Sequence, residues 1–301
     1  MSELRTGLPS GPSRRRLVVN ADDFGLSPGV NAGIALASRE GLLTSTTLMA
    51  NAPFFDEAAD LLRDLPGLGV GIHLNLVRGV PLSPAGSIPL LIGTDGRLRP
   101  FRLKMRLDRE FLYQAELEWR RQFERIIAAG VRITHADFEK HHSWQAPLYR
   151  LACRLAGEYG VPAVRNLREP LIWALRRMGW PGWRRFAMAA GLRMGLMLLG
   201  ARAHPLACPD HFLGQSHIGG MTEEIWLRFI RHLPPGISEV MVHPGMPDDP
   251  TDPRLAAMGA GRLGGERQDE LSAILSVRVR QAVEEAGVKL ISFREIAWRL
   301  V

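Results

Sequence analysis

The sequence predicts an α/β protein, a deformed (β/α) barrel with about seven parallel strands, and three observations lead to that class. Short apolar or β-branched runs alternate with amphipathic stretches along most of the chain, which is the rhythm of strands joined by outer helices. The alternation repeats too often for a small open sheet and favours a closed or nearly closed ring. Polar and ionisable residues gather where the apolar runs end, and in parallel barrels those C-terminal strand ends carry active sites.

Taken in order, Leu17–Val19 reads as the first strand, and Pro28 to Glu40 suits a helix with Gly41 just past its end. Thr44 to Met49 is β-branched and strand-like, Phe54 to Leu65 helical, and Val70 to Leu76 a strand. Leu112 to Ala129 spaces Leu117, Phe123, Ile126 and Ile127 for one helix face, and Gly130 ends it. Ile133 to Phe138 reads as a strand, Pro147 to Tyr159 as a helix and Val161 to Val164 as a strand. Glu239–Val242 is a strand, Leu271 to Ala286 a single helix, and Val288–Ser292 the last strand.

With 301 residues, 46% apolar and 23% charged, the chain has ample material for one barrel-sized core. Residues 1–15 read as a basic disordered tail and 16–301 as a single barrel domain, with a basic apolar insertion around 171–206. Cys153 and Cys208 form no CxxC pair and no disulfide framework, and no signal-peptide run follows Arg14-Arg15-Arg16, so a cytoplasmic protein is expected. A net charge of +7 suggests an anionic partner. Basic residues do not interleave with aromatics along a recognisable nucleic-acid motif, and no P-loop or GxGxxG follows the first strand, so neither nucleic acid nor nucleotide is expected.

The chemistry starts at Asn20-Ala21-Asp22-Asp23-Phe24-Gly25, where two adjacent carboxylates close a buried strand. A bare buried carboxylate costs several kcal/mol (on the order of 3 or more), so such acids are normally held by an arginine or a metal; one of them capping the next helix is the plainer reading. His73 stands in an apolar strand, either as a satisfied core residue or as a ligand. In extended chain, His135, Asp137, Glu139 and His141 point to one face, a poor core and a plausible site. His243 ends a strand before a turn, and Arg165 ends another, where it orients Asp22, orients a sugar, or pairs with a helix acid.

The ordered set Asn20–Ser27, Gly71–Leu74, Thr134–Asp137 and His243-Pro244 resembles the YdjC-like carbohydrate deacetylases. That family includes enzymes that remove N-acetyl groups from chitooligosaccharides and a branch associated with hopanoid lipid biosynthesis. The resemblance runs from about Leu17 to Phe293. It implies a NodB-like/YdjC-like deacetylase barrel and one divalent metal ion, magnesium, zinc or manganese. Asp22 would be the general base, Asp23 and His73 metal ligands, and His243 the acid that protonates the leaving amine. Glu139 stands where the family places a histidine ligand. Either the carboxylate takes over, which favours magnesium or manganese, or His141 substitutes, or hydrolysis has been lost. Asp137 and His135 would support the ligands from behind.

Between Glu169 and Asp210 there is no acidic residue, yet there are six arginines, with Trp173, Trp180, Trp183 and Phe186 among the first four. That composition suits a cationic helix lying at a membrane surface, or an ordinary excursion that covers the core. The first reading favours an N-acetylated sugar on a glycolipid, a hopanoid-linked sugar included, reached at the inner membrane face; the chain is also compatible with a homodimer. Pro247 to Glu266, rich in glycine, proline and aspartate, could form a lid or a surface loop without a role.

Overall fold

The computed structural model describes residues 15–100, 107–140, 145–166, 205–258 and 265–296, together with 169, 171–178, 183, 187 and 190. A seven-stranded sheet forms the frame, in the order β4-β3-β2-β1-β6-β5 with β7 against β1. Its strands are β1 (Arg15–Phe24), β2 (Ser45–Leu48), β3 (Gly69–Leu74), β4 (Ala136–Phe138), β5 (His211–Leu213), β6 (Gly236–Val242) and β7 (Lys289–Leu290). Every strand pairing is parallel. Beyond β4 the ring continues through two single parallel bridges, Ala136↔Val164 and Ala163↔Ala207, and the chain enters β5 shortly after the second. The architecture is the deformed (β/α) barrel expected.

Leu17, Val18, Val19 and Ala21 of β1 are fully buried, as expected of a parallel strand covered on both faces. The helices outside are α1 (Pro28–Glu40), α2 (Phe55–Leu61), α3 (Arg109–Ala128), α4 (Ala146–Glu158), α5 (Leu171–Met178), α6 (Glu223–Arg231), α7 (Pro253–Ala257), α8 (Gly265–Leu275), α9 (Val277–Glu285) and α10 (Phe293–Ile296). Helix α1 starts where the sequence places it, because Ser27 Oγ accepts the Val30 amide at 3.0 Å and Pro28 needs no donor. Its Gly33 is required by packing: a Cβ there would meet Gly245 Cα at 2.6 Å.

Helix α3 buries Phe111, Ala115, Trp119, Phe123 and Ile126 at helical spacing. A second buried stripe on it is polar and fastens the loop after β3. Gln122 accepts the Asn75 amide at 3.0 Å and donates to its carbonyl at 2.7 Å, while Glu118 accepts the amides of Leu82 (3.1 Å) and Ser83 (2.8 Å).

Four expectations need correction. Leu271 to Ala286 is two helices, because Ser276 breaks the chain, accepts the Val279 amide and caps α9. Val161 to Val164 forms only single bridges, and the strand expected from Ile133 is confined to Ala136–Phe138. The first strand begins at Arg15, paired with Gly236, one residue inside the expected tail. Most of 171–206 lies outside the described residues. Among those described, no helix is long and apolar enough to cross a membrane.

Candidate metal and hydrolase site

The site forms at the C-terminal ends of β1, β3, β4 and β6. Asn20 and Ala21 of β1 pair with Ser45 and Thr46, but Phe24 pairs with Leu48, so β1 carries an extra residue in a bulge at Asp22-Asp23. Asp23 takes φ 73°, a left-handed conformation that aspartate tolerates better than most residues. In a regular strand neighbouring side chains point to opposite faces. Here the bulge delivers Asp23 Oδ1 to within 3.9 Å of His73 Nε2 although Asp22 also faces the interior.

Asp22 is gripped by Arg165, whose Nη1 and Nη2 lie 2.6 Å from its two oxygens, and Asn20 Nδ2 donates to Oδ1 at 2.9 Å. Burial pushes the Asp22 carboxyl up, yet Arg165, with His73 and His243 nearby, holds it well below the usual carboxylate range. The same guanidinium reaches Asp137 Oδ2 and Glu239 Oε1, each at 2.7 Å. With 1% exposure and its donors on three carboxylates, Arg165 holds Asp22 and does not face an incoming ligand. Glu239, the third acid on one guanidinium, is pushed by burial up to about 7 despite Arg165, and its Oε2 has no partner among the described residues.

Asp23, His73 and Glu139 converge. Register sets His73 beside Asp137 across the β3–β4 pair, and His73 Nδ1 lies 2.6 Å from Asp137 Oδ1. Its Nε2 faces Glu139 Oε2 at 2.9 Å. Burial opposes charge on this ring, but Asp137 and Glu139 raise its pKa well above the ordinary value. Burial would also raise Glu139, but Arg78 and His73 hold it low. Thr47 Oγ1 donates to Asp137 Oδ2 at 3.1 Å.

One ligand atom from each of Asp23, His73 and Glu139 lies within 4.8 Å of the other two, and all three residues are buried. Asp137 fixes His73 through Nδ1 and leaves Nε2 facing the two carboxylates, which is how metal-binding histidines are usually oriented. The donor types, their convergence and this orientation fit a divalent ion.

Two arginines complete the cluster, and sequence reasoning missed both. Arg78, in the loop after β3, places Nη2 2.8 Å from Asp23 Oδ1 and Nε 2.9 Å from Glu139 Oε1. Arg267 of α8 bonds Asp23 Oδ2 through Nη2. Burial pushes Asp23 up, but Arg267 and Arg78 outweigh it and keep the carboxylate ionised. The only available signal was that three clustered buried acids demand more than one cation.

The remaining candidates separate. His243 follows β6, its side chain 20% exposed; Glu270 Oε2 accepts its backbone amide at 2.5 Å and lies 4.0 Å from its Nδ1. His135 is driven well below the ordinary histidine range by burial and then Arg165, stacks on Phe293 and contacts Asn20 Oδ1 at 3.1 Å. His141 lies outside the described residues. Part of the expected lid is tied down, since Asp248 Oδ1 accepts the Gly29 amide at 2.7 Å at the start of α1.

A family model described as YdjC-like protein matches residues 16–285. A carbohydrate deacetylase of Brevibacillus brevis is 31% identical over 93% of this chain and 99% of its own length. A carbohydrate deacetylase of Geobacillus stearothermophilus is 32% identical over 93% and 98%. A crystal structure of a candidate cellobiose-phosphate cleavage protein from Enterococcus faecalis superposes with a TM-score of 0.73 at 25% identity, covering 94% of this chain and 99% of that one.

Proposed function

The chain belongs to the YdjC-like family, and from that membership we propose that it is a metal-dependent carbohydrate N-deacetylase acting on the acetamide of an N-acetylglucosamine-type group. The observation that carries the proposal is the convergence of Asp23, His73 and Glu139 beside Asp22, which Arg165 aims. Asp23, His73 Nε2 and Glu139 would hold the ion, and a set of two carboxylates and one imidazole favours magnesium or manganese over zinc. Bound there, a divalent ion supplies a Lewis acid for the acetyl carbonyl and lowers the pKa of water.

The protein's own groups do the rest. Asp22, held below the usual carboxylate range by Arg165 despite its burial, takes the proton of the attacking water, whose oxygen bonds to the acetyl carbon. Arg165 and Asn20 fix the direction of that carboxylate. The C–N bond breaks, and His243, half-open at the end of β6, gives a proton to the leaving amine. Acetate and a free amino sugar result. Asp137 keeps the His73 ring turned so that Nε2 faces Asp23 and Glu139.

We extend the proposal to a glycolipid substrate, such as a hopanoid-linked sugar, met at the inner membrane face. Its support is the acid-free, arginine- and tryptophan-containing stretch around 171–206. A second reading, a silent relative that binds a sugar or headgroup, draws on the arginines that already occupy the oxygens of Asp23 and Glu139. Elemental analysis of purified protein, with Asp23→Ala as control, separates the two. About one ion per chain, lost in the variant and accompanied by acetate release from N-acetylglucosamine oligomers, supports the enzyme. No ion after incubation with magnesium, manganese or zinc supports the binder.

A further inference from the structure

Arg78 lies where a cation belongs. Its guanidinium bridges Asp23 Oδ1 and Glu139 Oε1, at 2.8 and 2.9 Å, and its side chain is 15% exposed. Asp23 Oδ1 is also the oxygen 3.9 Å from His73 Nε2, so Arg78 holds the corner of the cluster that an ion would share. Arg267 differs, because it takes the other oxygen of Asp23 and can remain when that corner is filled.

The backbone around Arg78 is fastened. Asn75 Nδ2 donates to the Arg78 carbonyl at 2.9 Å and Asn51 Nδ2 at 3.1 Å, while Asn75 Oδ1 accepts its amide at 3.3 Å. Gly79 follows with φ 78°, and a Cβ there would meet Met258 Sδ at 2.3 Å. These contacts hold the backbone of the loop, whereas the long side chain has rotatable bonds by which its guanidinium can leave the acids. A divalent ion brought among Asp23, His73 and Glu139 would stand within a few ångströms of the guanidinium, and like charges so close in a low-dielectric site repel strongly.

We propose that Arg78 is the internal counter-cation of this centre: it neutralises Asp23 and Glu139 in the ion-free protein and must be displaced for an ion to load. Arg78 therefore sets the affinity for the ion by competition, without being a ligand. The inference rests on the reading of Asp23, His73 and Glu139 as a metal centre, and its test keeps the two apart.

Chelator-stripped full-length protein is titrated calorimetrically with manganese chloride alone, as wild type, Arg78→Ala, Arg78→Gln and Asp23→Asn, each first checked for a cooperative melt. Arg78→Gln keeps one hydrogen bond to the acids without the charge, so it serves if the alanine variant fails to fold. The expected result is binding at least about tenfold tighter in the Arg78 variants than in wild type, and none in Asp23→Asn. Equal or weaker binding in the Arg78 variants, with binding still lost in Asp23→Asn, overturns the role of Arg78 and leaves the metal centre standing. No heat in any of the four proteins overturns the metal centre and this inference with it.

Discussion

Arg165 meets Asp22 as a fork on a fork, with both terminal nitrogens 2.6 Å from the two carboxylate oxygens. This geometry gives direction as well as charge. Arg165→Lys should keep the cation and lose the direction. We expect kcat for acetate release to fall by about 10- to 100-fold with little change in KM. Arg165→Ala should also lose about 3–5 kcal/mol of stability in urea unfolding, because Asp22, Asp137 and Glu239 would be left buried without their shared cation.

The adjacent acids should fail differently. Asp22→Asn should leave the bound ion in place and abolish acetate release, whereas Asp23→Asn should lose the ion. Asparagine is the suitable probe at position 23, because it tolerates the φ of 73° there. Elemental analysis and acetate release on the same preparations decide the matter; loss of the ion in both variants would refute the division of roles.

Asp137 is not among the three residues proposed to hold the ion, although with Asp22 and His73 it forms a second buried group of ligand type, and it should matter to binding. Its Oδ1 sits 2.6 Å from His73 Nδ1, and Asp137→Asn leaves the ring free to present the wrong nitrogen. Ion affinity should drop about 10- to 100-fold in a calorimetric titration.

Glu239 predicts a pH dependence of folding. Its pKa rises from an ordinary 4.5 to about 7 in the folded protein, so the folded state binds its proton more tightly than the unfolded chain. The contribution is fully present below pH 4.5 and is lost as pH rises through about 7. Its full size is on the order of 3 kcal/mol. Urea melts of ion-free protein between pH 5 and 8 should show wild type weakening and Glu239→Gln weakening less, with the remainder coming from Glu169, which burial also pushes up to about 7. Parallel curves would exclude Glu239 as the source.

The fold was legible because strand and helix periods survive in one sequence. Leu17–Val19, Thr44–Met49 and Val70–Leu76 fall on β1, β2 and β3, and Pro28–Glu40 coincides with α1. Asp22, Asp23, His73 and Glu139 were legible because ionisable residues at the ends of apolar runs violate the core pattern. Arg78 and Arg267 were not, because an arginine in a loop or on a helix resembles any solvated charge until the fold brings it to an acid. Glu239 carried a signal that went unread, a carboxylate inside the apolar run of β6. The break at Ser276 was hidden because hydrophobic spacing continues through it and only the cap marks the stop.

A chain one residue shorter between Ala21 and Phe24 could pair β1 with β2 without interruption and bury the same apolar side chains. It would keep only one of the two neighbouring acids. The irregularity is therefore needed to place the second acid and not for the pairing of β1 with β2. Deleting a single codon there should yield a stable barrel with one inward acid, and a screen for solubility alone would score that product as intact.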